Sequence, residues 1–311
     1  MRAPSQLCLR GRLVVIGKQP DGDSIRFVPD TPALLNDLRR ARRIRPSRDG
    51  TVQLRLEGID APETHYQDQA QPLADPARDR LLKLCGFTKV RHRDQEVLAA
   101  SPKQRPAAVL AQMADANGRP VALLITDGAL PEDGSYVGVD DALLERTVNA
   151  ALLADGSAYL TLYESAAPPL RAALRAVALQ ARDEGLGVWA ADATAAFELR
   201  EQGSIGPEGE LVLPKLFRRC SDYLRTRARG ETLVHWLKTH GDPGRPEDDL
   251  VVIGGRTAVR LSTLVEQRGN EIAFMADLLV SVGKSRCSFN EHCRVTNGSR
   301  STRGRSGSCT A

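Results

Sequence analysis

Aromatic residues are scarce in this sequence, cysteines are irregularly spaced, and long apolar runs are absent. Phe, Trp and Tyr make up only 4% of the 311 residues, although 41% are hydrophobic. A core is within reach, but it must be largely aliphatic. Nothing approaches the ~18 consecutive apolar residues of a membrane span. The first apolar run, Leu13 to Ile16, is far too short for the centre of a secretion signal. These absences point away from the membrane and towards a cytoplasmic protein. The cysteines (Cys8, Cys85, Cys220, Cys287, Cys293 and Cys309) follow no disulfide-framework spacing, and reduced thiols are the expectation. Cys287, His292, Cys293 and Cys309 invite a zinc reading, yet their spacing matches no zinc pattern.

The length allows two domains. A net charge of +4 and a pI of about 8.8 permit a nucleic-acid partner without requiring one. The distribution of the charge is more informative than its total. Residues 29–50 form a polar insertion holding Arg39, Arg40, Arg42, Arg43, Arg45 and Arg48, and Pro32 to Arg43 reads as a short basic helix. A second insertion near residues 90–106 carries Arg91, His92, Arg93, Lys103 and Arg105.

Alternation and turn signals predict strands at residues 13–16, 24–28 and 51–56. Asn117-Gly118 lies between the apolar runs 107–114 and 120–125, the pattern of a hairpin. Helices are expected from Asp75-Pro76 to Gly86, from Asp140-Asp141 through Leu153, and from Pro168-Pro169 to Gly185, with aspartate caps or prolines at their starts. The reading is a mainly β domain with about three helices, an OB-fold five-stranded barrel over residues 12–190. A linker follows at 191–209. A small α+β module spans 210–283, with helices at 216–224 and 232–239 and a hairpin at 250–261, and a disordered basic tail ends the chain at 284–311.

Four short pieces carry the chemistry. They are Asp21-Gly22-Asp23-Ser24, the run from Arg55 through Asp60-Ala61-Pro62-Glu63, Asn117-Gly118-Arg119, and Glu184-Gly185-Leu186-Gly187-Val188-Trp189. Singly each is ordinary. Asp-Gly-Asp serves many turns, Asn-Gly-Arg is a common hairpin tip, and Asp60 or Glu63 would serve to hold a loop. Together and in this order they resemble the staphylococcal nuclease (thermonuclease-like) family over about 180 residues.

The resemblance implies a phosphodiesterase with Asp23, Asp60 and the Ala61 backbone carbonyl around Ca²⁺ or Mg²⁺. It makes Glu63 the general base, makes Arg55 and Arg119 a phosphate clamp, and implies products ending in 3′-phosphate. The residue types suit these roles. Carboxylates are hard oxygen ligands, and two of them leave coordination sites for water and phosphate. A glutamate near its reference pKa of ~4.3 is ionised at neutral pH and can accept a proton. Arginine forks match phosphate oxygens and keep their charge. The family often has threonine where Ala61 stands, which removes a side-chain hydroxyl but not a carbonyl. Tyr159 and Tyr163 lie where family tyrosines contact the nucleotide, and a core or surface role competes with that reading. Arg39, Arg40, Arg42 and Arg43 would extend the contact along a phosphate backbone, or form a solvated loop.

The expected activity is hydrolysis of DNA or RNA, preferentially single-stranded or flexible. The competing expectations are a non-catalytic single-strand-binding OB module and a hydrolase of small nucleotides. His235, Trp236 and His240 draw attention in the second module, where Trp236, at helical spacing from Leu233 and Leu237, reads as core.

Overall fold

A computed structural model describes residues 5–277, apart from 163–165, 243–244 and 254–256. Tyr163 and the Cys287, His292, Cys293 and Cys309 group lie outside these residues, as does the tail.

The strands of the N-terminal unit are β1 (Ser5–Val14), β2 (Ser24–Pro29), β3 (Val52–Leu56), β4 (Gly58–Asp60), β5 (Thr88–Arg93), β6 (Glu96–Ser101), β7 (Gln104–Ala114), β8 (Pro120–Ile125), β9 (Tyr136–Gly138) and β10 (Tyr159–Thr161). Its helices are α1 (Ala74–Leu84), α2 (Asp141–Glu145), α3 (Val148–Ala154), α4 (Pro168–Asp183) and α5 (Val188–Ala191). The sheet order β2-β3-β8-β7-β1 closes by a β1–β2 pairing into a five-stranded barrel, and β9 adds to the outer edge of β1. The parallel contact is β3 on β8, with Arg55 opposite Val121. All six residues of β8 are buried, as expected for a strand flanked on both sides. The core is aliphatic, built on residues such as Leu9, Leu13, Ile25, Leu54 and Leu124, with Phe27 and Phe87 as its aromatic members.

Several expectations are corrected here. The first strand begins at Ser5 rather than near residue 13, because Leu7 to Gly11 pair with Ala111 to Ala107 of β7. Pro32 to Arg43 is not one helix but two 3-10 turns, Pro32–Asp37 and Ala41–Arg43. Arg40 adopts a left-handed conformation (φ 63°), which ends helical continuity, and buried Leu35, Leu38 and Ile44 pin the segment to the barrel. The expected helix from Asp140 is interrupted after Glu145 and restarts at Val148, where Thr147 accepts from the Ala150 N–H. Asp75 makes no cap bond and instead pairs with Arg78 at 2.7 Å.

The C-terminal unit contains β11 (Ala196–Glu198), α6 (Pro214–Thr226), α7 (Leu233–Thr239), β12 (Gly241–Asp242), β13 (Arg245–Pro246), β14 (Leu250–Ile253), β15 (Thr257–Arg260), β16 (Val265–Arg268) and β17 (Glu271–Phe274). Residues 191–209 are not a free linker. Phe197, Leu199 and Ile205 are buried in the second core, and β11 pairs with β17. Trp236 is core, as its spacing suggested, and donates from Nε1 to Thr226 Oγ1 at 3.0 Å.

Candidate active site

The site forms where β2 begins and β3 ends. Ser24 of β2 pairs with Arg55 of β3, so the turn carrying Asp21 and Asp23 lies beside the Arg55 strand. The chain leaves β3 through Glu57 and Gly58. Gly58 has φ +82°, and a Cβ there would sit 2.6 Å from Leu174 of α4, so glycine allows both the kink and the close helix. Buried Asn149 fixes this exit. Its Nδ2 donates to the carbonyls of Glu57 (2.8 Å) and Ala122 (3.0 Å), and its Oδ1 accepts from Leu124 N–H (2.9 Å). The short strand β4 then pairs with β10, Asp60 opposite Tyr159, and delivers Asp60 to the cluster.

Asp23, Arg55 and Asp60 are all buried and joined. Arg55 Nη1 pairs with Asp23 Oδ2, and its Nη2 lies 2.6 Å from Asp60 Oδ1. The Ala61 N–H donates to Asp23 Oδ2 at 3.2 Å, which brings the Ala61 backbone to the same place. Gly22 allows this approach, since a Cβ on it would fall 2.5 Å from the Ala61 Cβ. Glu63 hangs on the loop after β4, its N–H held by Gln71 Oε1 at 3.1 Å.

Arg218 was not expected from the sequence. It projects from α6, pairing through Nη1 with Glu63 Oε1 and through Nη2 with Asp60 Oδ2 at 3.1 Å. The signal in the sequence was faint, an arginine on a basic amphipathic helix that would ordinarily face solvent.

Charge in the cluster is unbalanced. Asp21, Asp23, Asp60 and Glu63 are four carboxylates, and the guanidinium groups paired with them are two, Arg55 and Arg218. Burial works against Asp60 ionising, but Arg218 and Arg55 overcome it and hold its pKa down at about 2. Asp21 and Glu63 move the other way. Burial first, and then the neighbouring Asp23, pushes Asp21 up to about 6. Burial pushes Glu63 up to about 7, with Arg218 opposing and Asp21, Asp60 and Asp23 reinforcing. Glu63 is therefore not the freely ionised glutamate expected from its reference value. A base poised near the working pH suits proton transfer.

This surplus of buried negative charge is what a hard divalent cation would relieve, and the donors are all oxygen. The two aspartates of the set, Asp23 and Asp60, are both held by Arg55. Among the described residues there is no cluster of three or more His, Cys, Asp or Glu side chains placed to hold a metal. All-oxygen donors of this kind suit a hard cation better than a thiophilic one.

Arg119 is not brought into this ion-pair network. It lies just before β8, and Asp115 of its own hairpin holds both its Nε and its Nη2 at 2.8 Å. The basic insertion packs beside that hairpin, with Arg43 Nη1 donating to the Ala116 carbonyl at 3.2 Å. Arg39, Arg40 and Arg42 are exposed there. A polar groove of about 430 Å³, lined by Lys18, Gln19, Arg26, Gln53 and His65, adjoins β2 and β3.

Tyr159 does not fit a nucleotide contact. It is fully buried, its hydroxyl donates to Asp192 Oδ1 at 2.8 Å, and its ring meets Trp189 edge-on. The C-terminal unit covers the surface it would otherwise have faced.

Residues 53–191 match the family model for staphylococcal nuclease homologues. The chain carries a staphylococcal-nuclease-like domain. That family is one of nucleases and nucleic-acid-binding proteins. The matched stretch starts at β3, immediately past the basic insertion, while β1, β2 and the Asp21–Asp23 turn complete the barrel ahead of it. No curated protein matches the chain.

Proposed function

We propose that this protein is a divalent-cation-dependent nuclease that hydrolyses phosphodiester bonds of DNA or RNA, in single-stranded or flexible segments. The observation that carries the reading is the meeting of buried Asp23, Arg55 and Asp60, with Glu63 joined to them through Arg218, on a staphylococcal-nuclease-like barrel.

In this reading Asp23, Asp60 and the Ala61 carbonyl hold Ca²⁺ or Mg²⁺. The cation, when bound, neutralises the phosphate and the charge developing on it. Arg55, now paired with Asp23 and Asp60, would hold a non-bridging phosphate oxygen. Glu63 takes the proton of the attacking water. As the new P–O bond forms, the bond to the leaving oxygen breaks, and that oxygen is protonated from solvent. Arg119, two residues before the Val121 that pairs with Arg55, would reach the leaving side by exchanging Asp115 for phosphate. Arg39, Arg40, Arg42 and Arg43 extend the positive surface along the strand, where phosphate contacts release counterions. Cys8, Cys85 and Cys220 are buried free thiols, which suits a cytoplasmic setting.

Two observations favour a second reading, a non-catalytic binding module. Both oxygens of Asp60 are engaged by guanidinium groups, and Arg119 is turned to its own hairpin. The two readings separate on digestion of labelled single- and double-stranded DNA and RNA in parallel, with Ca²⁺, with Mg²⁺ and with EDTA. Cation-dependent fragments support the nuclease. Salt-sensitive binding of intact strands with no product supports the module.

A further inference from the structure

Arg218 is the one member of the cluster that comes from the C-terminal unit, and its placement does not depend on its own ion pairs. Tyr66 Oη donates to Asp222 Oδ2 at 2.8 Å and Gln67 Nε2 to Asp222 Oδ1 at 2.9 Å, so the loop beyond Glu63 is fastened to α6. Arg218 and Asp222 are four residues apart, on the same helical face. Gln71 ties the units again, since its Oε1 holds the Glu63 N–H while its Nε2 donates to the Val212 carbonyl at 2.6 Å. Arg219 pairs with both Asp222 (3.3 Å) and Asp249 (3.0 Å), a further tie on the helix.

The helix therefore sets Arg218 against Asp60 and Glu63 from a fixed backbone. Its side chain is 25% exposed, against 2% for Asp60 and 13% for Glu63, so it is the most accessible of the three. A phosphodiester anion is repelled by the four carboxylates and attracted to this accessible cation. A guanidinium has five N–H donors, and the two contacts seen leave capacity for phosphate oxygens.

We propose that Arg218 is a third phosphate-facing arginine, lent to the barrel's site by the C-terminal unit. In the resting protein it pairs with Asp60 and Glu63. When substrate arrives it transfers to the scissile phosphate and leaves Glu63 free to accept a proton. The role rests on the nuclease reading above, and it gives the C-terminal unit a function in that chemistry.

The test compares the full chain with Arg218→Ala and Arg218→Lys variants. Calcium affinity is read by calorimetry, kcat and KM on a labelled single-stranded oligonucleotide, and folding by thermal melting. Removing a cation beside the metal ligands should tighten calcium binding, by about five-fold for one screened charge. The same Arg218→Ala change should slow cleavage about 10²-fold, chiefly in kcat, with partial recovery on adding guanidinium. Arg218→Lys should keep near-normal calcium affinity and cleave at an intermediate rate. A purely structural role would lower both readouts together without rescue, which overturns the proposal. So would Arg218→Ala cutting as fast as the wild type or faster, or binding calcium no differently. Should the alanine variant fail to fold, the lysine variant decides, and full activity in it overturns the phosphate role. A wild-type chain that binds calcium but cuts nothing sinks the nuclease reading itself and the role of Arg218 with it. A wild type that cuts and an alanine variant that cuts equally well sink the role of Arg218 alone.

Discussion

Replacing Asn149 with alanine should destabilise the protein by about 2–6 kcal/mol. Asn149 has no exposed surface and makes three hydrogen bonds, to Glu57 O, Ala122 O and Leu124 N–H. Ala122 O keeps a second partner, the Glu57 N–H at 2.8 Å, so its loss is partial. Glu57 O and Leu124 N–H lose the side-chain partner that alanine cannot replace. Each buried backbone group left unsatisfied costs about 1–3 kcal/mol, which gives the range above before any cavity is counted. Asn149→Asp should be worse than alanine, because it replaces two donations to carbonyls with a buried carboxylate facing them. Urea unfolding followed by circular dichroism is the assay, and a lower midpoint at unchanged slope is the expected signature. The same variants should lose activity beyond what unfolding explains, because Glu57 leads directly into Gly58 and Asp60. A loss below about 1 kcal/mol in Asn149→Ala would show that the exit from β3 is held by other contacts and would refute this reasoning.

Two further outcomes follow from the charge layout. Calcium binding should be coupled to proton release, because burial pushes Asp21 up to about 6 and Glu63 up to about 7. Below those values protons compete with the cation, so affinity should rise with pH through that window and level off above it. Calorimetry in buffers of different ionisation enthalpy measures the released protons, and pH-independent affinity would contradict the layout. Replacing Arg39, Arg40, Arg42 and Arg43 together by alanine should weaken single-strand binding. Its salt dependence should flatten by about 0.7 for each phosphate no longer neutralised, with little change in cleavage of a dinucleotide. An unchanged salt slope would return the insertion to the status of a solvated loop.

The barrel was readable in the sequence because its signals are local. Alternation marks β2 and β3, Asn117-Gly118 marks the turn between β7 and β8, and the spacing from Arg55 to Glu63 sets one strand end and one loop. Pairings between distant residues were not readable. Arg218 lies 155 residues from Glu63, and nothing in the residues of α6 separates a site arginine from a solvated one. The choice between a nucleotide contact and a core role for Tyr159 was open for the same reason, since its burial depends on a second core formed by residues such as Phe217 and Tyr223. The basic insertion has helical composition, yet a single left-handed residue, Arg40, and three buried aliphatics hold it in tight turns. The segment 191–209 looks like a linker by composition, but three well-placed apolar residues make it part of a fold.

The most direct test of the central claim is the cleavage rate of a labelled single-stranded oligonucleotide by wild-type and Glu63→Gln protein, with Ca²⁺ or Mg²⁺ and after chelation. Wild-type protein should cut only with the cation present, and Glu63→Gln should bind the strand yet cut about 10²–10⁴-fold more slowly. Equal rates in the two proteins, or no cutting by the wild type in either metal, would contradict the account.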